Sequence, residues 1–192
     1  MKLSTSLFCL VAGSSALFTQ TSYAQEARIG ERVGYGRDGL TFGLGLGGGN
    51  LSCSGDGCDD FTEAGSFNVF VGGMAAPNLA VVFDLWWMVH SEDRLDVSQG
   101  LMTANVKYWP MNHLWLRGGV GAARAAYNYN GTFADIEDHT EWVPAFAVGV
   151  GVEPIATDTL GLDIKLEYGT GFYSDGDTRI HSLALSLGLS FY

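Results

Sequence analysis

Apolar residues alternate with small or polar residues along eight segments of this chain. In the last segment the large apolar side chains share one face: Leu183, Leu185, Leu187, Leu189 and Phe191. The opposite face carries Ser186, Gly188 and Ser190. A period of two is typical of a β-strand whose two faces meet different surroundings. Because the apolar face has no charge, the pattern predicts strands of a transmembrane β-barrel, apolar outside and polar inside.

The same alternation predicts eight antiparallel strands. They cover residues 40–48, 66–75, 79–89, 101–108, 114–125, 142–152, 160–169 and 183–192. None of their outward positions holds Asp, Glu, Lys or Arg. A lipid-facing Arg or Lys would cost about 2–4 kcal/mol at the bilayer midplane. The fold class predicted is therefore all-β, an eight-stranded up-and-down transmembrane barrel.

The links between these strands alternate in length. Residues 76–78, 109–113 and 153–159 form short links, and the other links are longer and polar. Outer-membrane barrels have short periplasmic turns and longer extracellular loops. With an even number of strands, both termini are then expected on the periplasmic side.

The N-terminus predicts export. Lys2 precedes a short apolar run, and Ser22-Tyr23-Ala24 fits a cleavage site, so residues 1–24 are interpreted as a signal peptide. Residues 40–192 form the predicted barrel domain. Residues 25–39 are assigned as an N-terminal periplasmic segment, and whether they remain a tail or enter the barrel as a plug is left open.

Aromatic residues lie near both ends of the predicted strands, where rings prefer the lipid headgroups. Those near the loops are Trp87, Trp142 and Phe172, and those near the turns are Tyr108, Trp109 and Phe191. Over residues 40–192 the chain resembles the small eight-stranded outer-membrane barrels of the OmpA-like and OmpX-like kind. The resemblance implies a bacterial outer-membrane location and insertion by the barrel-assembly machinery, which recognises a terminal aromatic residue. Phe191 is in phase with the apolar face, and Tyr192 lies one residue beyond it.

Charged residues collect on the inward positions: Asp84, Lys107, Arg117, Glu153, Asp163, Lys165 and Glu167. An eight-stranded barrel is only wide enough for its own side chains. Four acids against three bases are nearly neutral, as a buried network requires. The sequence therefore predicts a plugged lumen in which Arg117 pairs with Glu153 or Asp163. The alternative interpretation of the same residues is an ion path.

Two cysteines of the exported chain, Cys53 and Cys58, are predicted to form a disulfide. A metal-binding or redox pair is the alternative, but no further ligands lie nearby, so neither a metal site nor a cofactor is expected. The predicted loops are acidic: Asp56, Asp59, Asp60, Glu63, Glu92, Asp93, Asp96, Asp135, Glu137, Asp138, Glu141, Asp175 and Asp177. These carboxylates either bind divalent cations that bridge to lipopolysaccharide or form a solvated surface.

The net charge of −11 makes nucleic acid an improbable partner. A closed barrel has no free sheet edge, which favours a monomer. Catalytic candidates are weak, because His90-Ser91 and His181-Ser182 place neighbours on opposite strand faces, and His113 and His139 are isolated. We therefore expect no enzyme and no catalytic residues.

The leading hypothesis is a non-enzymatic outer-membrane protein with a structural or surface-interaction role. Narrow-pore or lateral transport of small solutes is the main alternative. A lipid-modifying barrel enzyme and an exported soluble barrel of lipocalin type are further alternatives.

Overall fold

The computed structural model describes residues 36–55, 63–92, 95–130, 135–173 and 178–192. Within these ranges it contains nine strands: β1 Leu40–Ser54, β2 Ala64–Ala76, β3 Leu79–Glu92, β4 Leu95–Met111, β5 Leu114–Asn130, β6 Asp135–His139, β7 Val143–Ala156, β8 Leu160–Phe172 and β9 Arg179–Phe191. None of the described residues belongs to a helix long and apolar enough to cross a membrane. The predicted signal peptide lies outside the described residues.

Eight of these strands form a closed ring. Each pairs antiparallel with its neighbours in chain order, with β7 following β5. The first and last strands close the ring over a register that runs from Phe42 opposite Phe191 to Ser54 opposite Arg179. The predicted all-β, eight-stranded up-and-down barrel is confirmed. The periplasmic position of the termini and the domain boundaries stay predictions.

The ninth strand, β6, lies outside the ring. It pairs with the end of β5, from Ala126 opposite His139 to Asn130 opposite Asp135. The sequence predicts this part of the chain as one of the longer, polar loops. Backbone hydrogen bonds, which any residue other than proline can make, extend the sheet here beyond the apolar pattern.

The strands around this extension are longer than predicted at their loop ends. Both β4 and β5 contain 17 residues, whereas a strand needs about 9–11 to cross a membrane. Their register continues to Leu95 opposite Tyr129, past polar residues such as Asp96 and Gln99. The sheet therefore continues beyond the apolar band towards the loops.

The outside of the barrel is an apolar band. Exposed aliphatic side chains on β1 and β9, including Leu46 and Leu185, point away from the lumen. At the turn end the rings of Phe42 and Phe191 stack with their centroids 4.9 Å apart. Such a surface is stable in lipid and would be costly in water.

The interior is divided into two layers. Near the short turns it is charged, as predicted, but near the loops it is a packed apolar cluster that includes Leu51, Trp86, Met88, Leu101 and Ile180. The predicted small or polar inward face is therefore only partly found in this layer, where buried polar residues such as Gln99 and Ser182 lie among large apolar side chains. An eight-stranded barrel is only wide enough for its own side chains, so apolar side chains can pack against one another inside it.

Candidate functional site: the charged interior of the barrel

The structure places all seven predicted interior charges inside the barrel, and each of them is buried. Arg117 on β5 lies at the centre of this set. Its guanidinium contacts the carboxylate of Asp84 on β3, and its Nη2 lies 2.6 Å from Glu167 Oε1 on β8. One cation thus bridges two carboxylates from different walls of the lumen.

The predicted partners of Arg117 were wrong. Glu153 and Asp163 lie instead 3.8 Å from the Nζ of Lys107, which is the register neighbour of Arg117 on β4. The prediction paired residues by their distance from the short turns. In a narrow tilted barrel, contacts across the lumen depend on strand stagger and side-chain length as well.

Lys165 extends the network towards β1 and β2. Its Nζ lies 3.4 Å from Glu167 Oε2 and donates a hydrogen bond of 2.7 Å to Asn68 Oδ1. Gly45 provides the space, since a Cβ there would lie 2.9 Å from the Cε of Lys165. The inward glycines of β1 therefore accommodate long side chains from the opposite wall.

Glu153 on β7 is fully buried near the turn end and accepts three hydrogen bonds. Arg37 Nη2 donates to its Oε2 at 2.5 Å, while Trp109 Nε1 and Tyr192 Oη donate to its Oε1 at 2.9 and 2.6 Å. Burial, with Glu153 beside it, raises the pKa of Tyr192, which lies beyond the end of β9. The phenol therefore remains protonated and acts as the donor.

Asp163 on β8 is held in the same region. It accepts hydrogen bonds of 2.5 Å from Trp115 Nε1 and from the hydroxyl of Ser190. Together with Lys107, these donors surround a carboxylate that would be very unfavourable if buried alone. Indole donors from β4 and β5, Trp109 and Trp115, thus supplement the cations in stabilising the interior acids.

Arg37 belongs to the network in addition to the seven charges that the alternation predicts. It precedes β1, is only 2% exposed, and also donates to the backbone oxygen of Asn112 at 2.9 Å. Its guanidinium lies 4.8 Å from the ring centroid of Trp109 and 4.9 Å from that of Tyr192. Part of the 25–39 segment therefore enters the turn end of the barrel.

With Arg37 included, the described residues of the interior comprise equal numbers of acids and bases. The acids are Asp84, Glu153, Asp163 and Glu167, and the bases are Arg37, Lys107, Arg117 and Lys165. The excess of one acid in the predicted network was the signal that could have identified a missing cation. Only the fold shows which arginine supplies it.

One aromatic residue has a different position from the one predicted, and the two terminal rings point to opposite sides of the barrel wall. Trp109 was expected at the lipid interface, but it is 3% exposed and faces the lumen. Of the two terminal rings, Phe191 stacks outside on Phe42, whereas Tyr192 reaches Glu153 inside. Their role as an assembly signal stays a prediction, with Phe191 as the ring that faces lipid.

The remaining predicted features lie at the loop ends. Cys53 is on β1, but Cys58 is outside the described residues, so the disulfide stays a prediction. Many of the acidic loop residues also lie outside them. Across the described part of the chain, no group of three or more His, Cys, Asp or Glu residues is arranged to hold a metal ion.

The histidines fit the argument from strand faces. His90 is buried and faces inward while Ser91 is exposed, and His181 faces outward while Ser182 is fully buried. His181 instead contacts Tyr168 Oη through Nδ1 at 2.7 Å and Ser54 Oγ through Nε2 at 3.1 Å. Neither adjacent His–Ser pair therefore shares a face.

A closed eight-stranded barrel with an apolar outside and a charged, packed inside defines the class of outer-membrane barrels. The chain belongs to the family described as outer membrane protein beta-barrel domain, which it matches over residues 7–191. It is accordingly a protein of the bacterial outer membrane. No curated protein sequence matches the chain.

Solved structures show the same fold at low sequence identity. The chain is 15% identical to Ail, the attachment invasion locus protein of Yersinia pestis, with a TM-score of 0.60, covering 80% of this chain and 99% of Ail. Ail in complex with the heparin analogue sucrose octasulfate is 16% identical, with a TM-score of 0.61, and the match covers 80% of this chain and 99% of that one. Neisserial surface protein A is 13% identical, with a TM-score of 0.53, and the match covers 78% of this chain and 96% of that protein.

Proposed function

We propose that this protein is a non-enzymatic outer-membrane barrel with a sealed lumen, whose role lies at the cell surface and in the integrity of the envelope. The observation that carries the proposal is the filled interior. Four acids and four bases occupy the layer near the turns, and an apolar cluster occupies the layer near the loops. Neither layer resembles a water-filled channel.

The upper layer gives the physical argument against conduction. An ion crossing the barrel would have to pass among the buried side chains of Trp86, Met88 and Leu101. Moving an unpaired charge into such surroundings is very unfavourable. The charges below are already neutralised by partners within 4 Å, so they act as a structural plug rather than as vacant ion sites.

The outer part of the molecule supports the surface role. The pairing of β4, β5 and β6 continues past the apolar band and extends a stiff sheet towards the loops. The chemistry of these loops differs from what a sulfated sugar such as the analogue bound by Ail would require, because they are rich in carboxylates. We propose cationic partners, or lipopolysaccharide bridged by divalent cations, for this surface.

Conductance measurement tests the sealed lumen. We expect purified protein in planar bilayers to produce no reproducible current steps in about 1 M salt, where the Debye length is only about 3 Å. The comparison is the double variant Trp86→Ala with Leu101→Ala, which removes two of the largest side chains of the apolar layer and is expected to lower the barrier to ions there. Reproducible, salt-dependent steps from the unmodified protein would overturn the sealed barrel and support the transport alternative.

Epitope tags test the orientation. A tag inserted between β1 and β2 is expected to bind antibody on intact cells, because that link belongs to the long loops. A tag between Ala156 and Leu160 is expected to bind only after the outer membrane has been permeabilised. The opposite accessibility of the two tags would contradict the proposed topology.

A further inference from the structure

The outer wall of the barrel contains a cleft near the loop end of β3, β4 and β5. Its volume is about 420 Å³, and its apolar lining includes Leu85, Trp87, Met102 and Trp142. Because it opens on the outward face, it lies on the side of the barrel that contacts lipid. A groove of this kind can hold an acyl chain lengthwise.

A second, more polar hollow adjoins this cleft. Its volume is about 570 Å³, and it is lined by Arg124, His139, Thr140, Glu141 and Trp142. Arg124, His139 and Trp142 also line the cleft. The two spaces together therefore have an apolar part towards the membrane and a charged part towards the loops, which is the shape of a site for an amphiphile.

Arg124 is one of two basic residues of the described chain that face outward. Of the six described lysines and arginines, Arg37, Lys107, Arg117 and Lys165 are buried in the lumen, whereas Arg124 and Arg179 face outward. Arg124 Nε donates to the backbone oxygen of Thr140 at 3.1 Å. That bond orients the guanidinium and uses one of its five N–H groups.

The charges of the hollow indicate the headgroup. Arg124 is matched by Glu141, an exposed carboxylate in the same lining. A headgroup with only a negative charge would meet Arg124 but also the repulsion of Glu141. A headgroup that carries a phosphate next to an ammonium would place each charge near its opposite.

We propose that this wall cleft binds a zwitterionic lipid with a phosphoethanolamine headgroup. Its phosphate is held by Arg124, its ammonium by Glu141, and one acyl chain lies along Leu85, Trp87 and Met102. The proposal goes beyond the sealed barrel and its surface role, because it assigns a specific lipid to one position on the wall.

Gly100 makes room for the indole of Trp87, which lines the cleft. It lies on β4 opposite Trp87, and a Cβ at this position would be 3.1 Å from Trp87 Nε1 and 3.3 Å from Cδ1. A larger side chain here would enter the cleft or displace the indole. Gly118 on β5 is a matched outward glycine, since a Cβ there would meet only Val148 Cγ1 at 3.9 Å.

Native mass spectrometry of the refolded protein in dodecyl maltoside tests the site. The probes are lysophosphatidylethanolamine and lysophosphatidylglycerol of equal chain length. We expect one retained molecule of the ethanolamine lipid and at least about tenfold weaker retention of the glycerol lipid. Equal retention of the two lipids, or stronger retention of the glycerol lipid, would overturn the proposal.

Variants distinguish the two charges and the cleft. Arg124→Gln is expected to weaken retention of the ethanolamine lipid about tenfold. Glu141→Gln is expected to remove the preference for the ethanolamine lipid over the glycerol lipid. Gly100→Leu should abolish retention of both, and Gly118→Leu and Arg179→Gln should leave it unchanged. If Gly100→Leu does not fold, the change of preference in Glu141→Gln remains a decisive result, and unaltered preference in that variant would contradict the site.

The result of the lipid-retention experiment does not depend on whether the lumen is sealed. A barrel that binds the lipid but conducts ions would defeat only the proposed function. A closed barrel that retains neither lipid would defeat only the wall cleft.

Discussion

Replacing Arg117 by Leu is expected to lower the free energy of unfolding of the barrel by about 3–5 kcal/mol. The guanidinium contacts the carboxylates of Asp84 and Glu167, all three of which are buried. Without it, Glu167 keeps Lys165 at 3.4 Å, but Asp84 loses its ion-pair partner. A buried charge without its partner is far more unfavourable than the intact pair is favourable.

Urea unfolding in detergent micelles, followed by tryptophan fluorescence, measures this loss. Arg179→Leu is the matched control, because Arg179 faces outward and is exposed, and its removal should change stability by less than about 1 kcal/mol. In the double variant Asp84→Leu with Arg117→Leu, the loss should be smaller than the sum of the two single losses. If Arg117→Leu were no more destabilising than the control, the interior ion pairs would not hold the barrel together.

Replacing Glu153 by Ala is expected to have an effect of similar size, about 3–5 kcal/mol. The substitution removes the acceptor of Arg37, Trp109 and Tyr192 at once, and it leaves the Arg37 guanidinium buried without that carboxylate. We expect the turn end of the barrel to loosen, because the N-terminal segment, β4 and the C-terminal residue all meet at this side chain. Faster proteolysis of the N-terminal segment in the folded variant would accompany the lower stability.

Glu153→Gln separates charge from hydrogen bonding. The amide oxygen can still accept from Trp109 and Tyr192, but the attraction to Arg37 is lost, so an intermediate loss is expected. A double-mutant cycle with Arg37→Gln should give a coupling of about 0.5–3 kcal/mol. Additive losses in that cycle would show that Arg37 is not energetically linked to Glu153, whatever their 2.5 Å separation.

The fold could be predicted from the sequence because the bilayer imposes a simple rule. Every lipid-facing position must be apolar, and β-strand side chains alternate between two faces, so positions such as Leu185 and Leu187 identify the outside directly. The same rule places charged residues such as Arg117 and Lys165 inside, where the structure has them. These assignments need only the local period and the solvent on each side.

The sequence did not determine which interior charges meet. Arg117 contacts Asp84 and Glu167, residues from β3 and β8, and these contacts depend on strand stagger and on how far a side chain reaches across the lumen. Arg37 is invisible to the alternation because it precedes the first strand. Its place in the barrel follows from the position of Glu153 at the turn end, which is a property of the closed ring.

Local sequence by itself determined the apolar outside, the order of the eight barrel strands and the seven inward charges that lie on those strands, because each depends on neighbours along the chain and on a uniform lipid environment. Only the tertiary structure decided the apolar upper layer around Trp86, the pairing of the charges and the cleft lined by Trp87 and Trp142. The inward face meets other side chains rather than a single solvent. Its composition is therefore set by packing across the barrel, and the alternation along a single strand does not predict that packing.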